Sequence, residues 1–103
     1  MTRRVRLEPE AEAEIGSSME WYERECAGLG TEFLDEIHQS LDALREPCPQ
    51  CGPVPGVSPD LGVRRLIVKR FPYAVVFVEE PGAVRVIAVA HARRRPGYWR
   101  GRL

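Results

Sequence analysis

The chain has 103 residues, 44% hydrophobic and 29% charged, which suits one small globular domain with a single core. The net charge of zero hides a division: residues 1–50 carry twelve acids and five arginines, whereas residues 51–103 carry three acids and ten bases, which predicts a basic surface for a polyanion or an acidic partner. The chain has no apolar run of the roughly 18 residues that a membrane span needs, and it does not open with an apolar signal segment. We therefore expect one cytoplasmic domain over residues 1–103 and no membrane partner.

The first half of the chain predicts a strand followed by two helices. RVRLE (residues 4–8) alternates apolar and basic side chains, as a short strand does. Pro9 suits the first turn of a helix, and Gly28 and Gly30 are expected to end it. A second helix, capped at the GLGT link and stopped by Pro47, completes an αα-hairpin. The apolar stripe of the first helix has spacings of three and four and consists of Ala11, Ile15, Met19, Tyr22 and Cys26.

The second half predicts a loop followed by three strands. Residues 47–62 (PCPQCGPVPGVSPDLG) are rich in proline and glycine and therefore form a loop. Strands are predicted over residues 63–70, 73–79 and 84–91, separated by turns at FPY and EPGA. The predicted order is β-α-α-β-β-β, an α+β fold in which the helical hairpin packs on one face of a small antiparallel sheet.

The three cysteines do not show the pattern of a disulfide framework. An odd count of three in a chain without an export signal argues against structural disulfides. Cys48 and Cys51 form one C-x-x-C, which lacks the second pair of a structural zinc site. We predict that both are incidental loop thiols, the alternatives being zinc shared between subunits or a redox link. The sequence contains neither a metal-ligand cluster nor a phosphate-binding glycine loop, so no metal and no cofactor is expected.

Basic residues recur along the predicted strands. Strict alternation places Arg65, Ile67 and Lys69 on one face of the first of these strands. On the last strand it places a second set on one face, namely Arg85, Ile87, Val89, His91 and Arg93. If helices cover one sheet face, the other face is either a basic platform or an ordinary solvated surface.

The C-terminal segment, AVAHARRRPGYWRGRL, combines arginines with aromatic side chains. Arginine binds phosphate strongly, and aromatic rings stack on bases. Trp99 is expected to pack in the core, whereas the Tyr98 hydroxyl has the chemistry for proton transfer. For His91, at the end of the last strand, a structural hydrogen-bonding role and a catalytic role both stay open.

Together these segments resemble the RelE/ParE superfamily of bacterial toxins from type II toxin–antitoxin systems, which includes plasmid stabilisation proteins. The resemblance extends over nearly the whole chain and rests on EAEAEIGSSMEWYERECAGLGTEFLDEI, RRLIVKRFPYAVVFVEE and VRVIAVAHARRRPGYW. It implies a growth-inhibiting toxin whose basic surface is masked by a cognate antitoxin within an oligomeric toxin–antitoxin complex.

One branch of this superfamily, RelE, cleaves messenger RNA on the ribosome. Attack of a ribose 2′-hydroxyl on the adjacent phosphate needs a base, an acid and cations around the phosphorane. For an endoribonuclease of this kind, the resemblance implies catalytic roles for Arg65, His91 and Tyr98. RNA or target binding would then fall to Lys69, Arg70, Arg93, Arg94 and Arg95. Ala74 and Ile67 depart from the nuclease pattern, because RelE-like members often carry an arginine and a lysine at those positions.

The other branch, ParE, inhibits DNA gyrase by binding and has no catalytic residue. Many of its members end the last strand with a histidine and nearby arginines, which AHARRRP resembles. Gyrase and ribosome-bound mRNA therefore both remain possible targets from the sequence. A third interpretation is a non-toxic homologue that acts only as an antitoxin-binding or RNA-binding module.

Overall fold

The computed structural model describes residues 2–103, which form two helices packed on a five-stranded sheet. The elements are β1 (Arg4–Leu7), α1 (Pro9–Glu25), α2 (Leu29–Ala43), β2 (Gly52–Pro53), β3 (Val63–Ile67), β4 (Tyr73–Glu80) and β5 (Ala83–His91), with short 3₁₀ helices at Pro59–Leu61 and Tyr98–Arg102. The strand order is β1-β5-β4-β3-β2. The predicted α+β fold is confirmed, but the sheet is mixed because β1 runs parallel to β5. Within residues 2–103, no helix is both long enough and apolar enough to cross a membrane.

The link between the two helices differs from its prediction. α1 ends at Glu25, and Gly28, with φ of +89°, is the N-cap residue that directly precedes α2. The carboxylate of Glu23 caps α2, because its two oxygens accept the backbone N–H groups of Gly28 and Gly30, each at 3.0 Å. A Cβ on Gly30 would lie 2.7 Å from the Met19 carbonyl oxygen, so glycine permits the close approach of the helices.

The main core lies between the helices and the sheet. Its centre is an aromatic cluster in which ring centroids lie 5.0–6.3 Å apart, made of Tyr22, Phe33, Phe71 and Tyr73. Fully buried aliphatic side chains from both layers surround it, among them Ile37, Val75, Val84 and Val86. Cys26, predicted to lie on the buried stripe of α1, follows the end of that helix and is exposed.

A β-bulge reverses the faces at the end of β5. Val76 pairs with Ala88 and Phe77 pairs with Val86, which leaves Ile87 as an extra residue in β5. Ile87 and Ala88 therefore both pack on the face away from the helices, and Val89 packs on the helix side. The prediction that strict alternation puts Arg85, Val89 and His91 on one face is wrong, because the bulge shifts the alternation by one residue.

The sheet face away from the helices carries a second apolar core instead of an open basic platform. Trp99, only 2% exposed, packs there with Val54, Val63, Val76 and Ile87. The expectation that Trp99 is a core residue is confirmed.

The loop before β3 and the end of β3 also differ from the prediction. Residues 47–62 contain β2 and a 3₁₀ turn, and β2 pairs with β3. β3 ends at Ile67, not at residue 70, because Arg70 has a φ of +70° and the chain turns back. Val68 then donates its backbone N–H to the Tyr73 carbonyl across this turn.

Cys48 and Cys51 form a disulfide, so the prediction of incidental thiols is wrong. The chain makes a turn in which the Cys51 N–H donates to the Cys48 carbonyl. This turn folds inward, and the two cysteines pack in the main core with exposures of 4% and 3%.

Candidate functional site

The carboxylate of Glu14, on α1, holds the C-terminal segment against the helical layer. It accepts hydrogen bonds from the Val89 backbone N–H at 2.9 Å and from the Tyr98 hydroxyl at 2.5 Å. Arg102 adds two more, at 3.0 and 3.1 Å. The side chains of Glu14 and Arg102 are only 15% and 20% exposed, so this ion pair is largely shielded from water. We call this group, formed by Glu14, Val89, Tyr98 and Arg102, the Glu14 junction.

The Glu14 junction fixes the protonation of Tyr98. Burial raises the pKa of the Tyr98 hydroxyl well above its ordinary value of 10.0, and the hydrogen bond to Glu14 raises it further. The guanidinium of Arg94 lies 4.0 Å from the ring centroid and that of Arg102 lies 5.2 Å from it. Tyr98 is therefore a neutral donor at physiological pH, and its proton points at a carboxylate.

His91 ends β5 on the helix side of the sheet. Its Nδ1 accepts the backbone N–H of Arg93 at 3.0 Å, so the neutral ring carries its hydrogen on Nε2. The edge of the ring meets Tyr73, with centroids 5.0 Å apart. Tyr73 in turn donates its hydroxyl to Ser18 on α1 at 2.9 Å. His91 is thus oriented from two sides at the mouth of a groove.

Two grooves flank the side chains of Arg94 and Tyr98. The larger has a volume of about 540 Å³ and runs between α1 and the end of β5, lined by residues that include Glu10, Ser17, Trp21, His91, Arg94 and Arg102. The smaller, of about 190 Å³, lies on the far face and is lined in part by Arg65, Ala74, His91, Arg94, Arg95 and Trp99. We call these two grooves, with the exposed arginines at 93–95, the C-terminal surface.

The structure brings together five of the predicted site residues and separates others from them. Arg65, His91, Arg94, Arg95 and Tyr98 all line the smaller groove. Arg93 lies beside it in the chain and is exposed.

Lys69 and Arg70 lie away from the C-terminal surface. Arg70 forms a 2.6 Å ion pair with Glu32 of α2. Lys69 lines a different groove with Glu36 and Gln39.

Two aliphatic side chains occupy the sheet positions where the nuclease pattern has bases. Ile67 lies directly opposite Ala74 in the β3–β4 register, and Ile67 is 59% exposed. On the same strand, Arg65 lies opposite Val76. Of these four positions, only Arg65 supplies a cation.

Glu14, Trp21 and Arg102 also line the larger groove, although the sequence predicted no site role for them. Glu14 follows Ala11 by three residues and therefore flanks the buried stripe of α1. An acid on such a flank needs a partner when it is shielded from water. This need for a partner is the one sequence signal that could have marked Glu14, since the partners themselves come from the distant residues 89–102.

Comparisons with known proteins bear on the family and on the fold of the chain. Residues 5–96 match the model of the family described as "ParE toxin of type II toxin-antitoxin system, parDE". The chain belongs to this family. The fold of this ParE-family toxin is similar to a solved structure described as "Chromosomal ParDE TA system from P. aeruginosa", with a TM-score of 0.75 and 16% identity over 89% of this chain and 98% of that one. No curated protein matches the chain. The resemblance to the RelE/ParE superfamily is confirmed.

Proposed function

We propose that this ParE-family toxin arrests growth by binding DNA gyrase through its C-terminal surface, without cleaving RNA. The observation that carries the proposal is the engagement of the Tyr98 hydroxyl by the Glu14 carboxylate at 2.5 Å. A general acid must give its proton to a leaving oxygen, and a general base must first lose it. Tyr98 is poorly suited to both tasks, because its proton is held by Glu14 and its pKa is raised.

The charges on the sheet also argue against RNA cleavage. A phosphorane carries negative charge that several cations must stabilise together. Ile67 and Ala74 contribute none, and Lys69 and Arg70 face α2 residues elsewhere. The remaining arginines around Tyr98 suit recognition of an acidic protein surface.

A RelE-like endoribonuclease is the second candidate, since Arg65, His91 and Arg94 line one groove. In that reaction His91 would have to serve as the proton donor in place of Tyr98, since its Nε2–H is left free while Nδ1 accepts the backbone N–H of Arg93. The Arg65 guanidinium would stabilise the phosphate.

The partner of the C-terminal surface in the resting cell is, in this proposal, an acidic segment of a cognate antitoxin. The guanidinium of arginine pairs with a carboxylate through two parallel hydrogen bonds, and the removal of water from such pairs sets the specificity of binding. The proposal places the toxin in the cytoplasm, in an oligomeric complex with that antitoxin. A non-toxic homologue that only binds an antitoxin or RNA would leave growth unchanged when expressed alone.

The deciding experiment is induction without antitoxin, with incorporation of labelled thymidine and labelled amino acid followed over minutes. Under the gyrase proposal thymidine incorporation falls first, and purified toxin inhibits supercoiling by gyrase. An early fall in amino-acid incorporation with normal supercoiling would overturn it in favour of the nuclease.

Substitutions separate the two candidates further. Arg94→Ala is expected to weaken inhibition of supercoiling at least tenfold, whereas Arg24→Ala, an exposed arginine at the end of α1, leaves it unchanged. Tyr98→Phe is expected to retain inhibition in the fraction that is folded. Complete loss of arrest in folded Tyr98→Phe would instead support catalysis, whereas loss in Arg65→Ala fits either candidate because Arg65 lines the smaller groove.

A further inference from the structure

The loop that carries the disulfide connects both cores of the protein. Cys48 and Cys51 are buried in the core beneath the helices. Three residues after Cys51, Val54 is buried in the second core against Trp99. Residues 48–57 therefore wrap around the outer edge of β3, with one end on each face of the sheet.

Polar side chains of the sheet hold this loop in place. Arg64 of β3 donates to the carbonyl oxygens of both Cys48 and Cys51. The same guanidinium pairs with Glu79 of β4 at 3.0 Å, and Arg3 pairs with Glu79 from the other side at 2.5 Å. One carboxylate thus positions the arginine that holds the two cysteine carbonyls.

The far end of the loop supports the C-terminal segment. Arg100 donates to the Gly56 carbonyl at 2.8 Å, and Val57 donates back to Val54 at 3.2 Å to close the turn. Trp99, next to Arg100, packs on Val54. Movement of the loop would therefore remove one wall of the smaller groove, which Val54 and Trp99 line together with Arg65 and Arg95.

We propose that the Cys48–Cys51 disulfide is a redox-sensitive clasp that controls the order of the C-terminal surface. In the oxidised state the bond fixes the turn at 48–51, and the loop supports Trp99. On reduction two separate thiols need more room than the bonded pair, in a core that is closely packed. The turn then loosens, and the loosening passes through Val54 and Gly56 to residues 97–103.

The reductant in this proposal is a dithiol. Its thiolate attacks one Sγ, the S–S bond breaks, and the other Sγ leaves with the electron pair and takes up a proton. The second thiol of the reductant then attacks the mixed disulfide and releases the first cysteine, so the reductant ends as a disulfide. Two electrons and two protons pass to the protein. Because both cysteines are at least 95% buried, the dithiol reaches the bond only when the loop opens.

The test is hydrogen exchange of the full-length toxin, measured by mass spectrometry in mixtures of reduced and oxidised dithiothreitol. Alkylation of free thiols in unfolded aliquots gives the oxidation state in parallel. Reduction is expected to speed exchange at least tenfold in peptides covering 50–58 and 97–103. Exchange within β5 (83–91) should change by less than twofold.

Matched variants isolate the pair. Cys26→Ser removes the exposed free thiol and should retain the full response. Cys48→Ser with Cys51→Ser should show fast exchange in both segments without reductant and no response to it; if this variant does not fold, the wild-type titration stands alone. Two thiols under oxidising conditions, unchanged exchange over 97–103, or an equal rise over the whole chain would each overturn the proposal.

Discussion

Replacement of Glu14 by glutamine is expected to release the C-terminal segment from the helical layer. The carboxylate accepts four hydrogen bonds, two of them from the guanidinium of Arg102. A glutamine keeps one acceptor oxygen but presents an N–H₂ group toward donors, and it leaves the largely shielded Arg102 without a counter-charge. Hydrogen bonds to charged groups contribute about 1.5–3 kcal/mol each, and breaking a shielded pair costs up to about 3–5 kcal/mol.

We expect Glu14→Gln to lower the free energy of unfolding by about 2–3 kcal/mol, less than the cost of breaking a fully buried pair, because this pair retains some contact with water. The assay is urea unfolding, with Glu20→Gln on the exposed side of the same helix as control. A double-mutant cycle of Glu14→Gln with Tyr98→Phe should give a coupling energy of about 1 kcal/mol or more. Equal stability of Glu14→Gln and Glu20→Gln, or a coupling energy near zero, would refute the Glu14 junction as a stabilising unit.

Three further predictions test other parts of the fold. Glu23→Gln should cost about 1 kcal/mol in urea unfolding because it weakens the cap of α2, whereas Glu25→Gln, exposed just after it, should cost almost nothing. The hydrogen bond from Arg3 is the first cause that lowers the pKa of Glu79 in the folded protein. The carboxylate therefore adds to the free energy of unfolding above pH 4.5, and this stabilisation is lost as the pH falls through the folded pKa. Unfolding curves from pH 7 to pH 3 should show a loss of stability that Glu79→Gln lacks. Trp99→Ala should lower stability by about 3–5 kcal/mol, seen as a fall in the thermal midpoint, since the indole is 2% exposed.

The parts of the fold that the sequence predicted are those with a long and regular pattern. The α1 stripe repeats every three or four residues through Tyr22, and β4 is a run of apolar and aromatic residues bounded by turns. Each pattern extends over several residues, so one irregularity does not hide it. The helices, four of the five strands and the packing of the hairpin on the sheet followed from patterns of this kind.

The features that escaped prediction depend on contacts between distant residues. The bulge at Ile87 changes the face of His91, yet it arises from how β5 fits against β4 and Trp99. β2 has only two residues, both within a stretch whose composition is typical of a loop. It forms because its backbone pairs with the edge of β3. The disulfide escaped prediction for a different reason, since cysteine count and compartment say nothing about the geometry of the loop.

Ion pairs within the fold neutralise part of the positive charge of residues 51–103, and most of the bases that form no ion pair lie together in one region. Several bases of the second half have carboxylate partners, including Arg70 with Glu32 and Arg102 with Glu14. The bases of residues 51–103 that form no ion pair within residues 2–103 are Arg65, Lys69, Arg93, Arg94, Arg95 and Arg100. All of these except Lys69 lie at the C-terminal surface or beside it. The arginines around Tyr98 and Trp99 therefore form an excess of positive charge that no carboxylate among residues 2–103 neutralises in an ion pair, which is the property expected of a surface that binds an acidic partner.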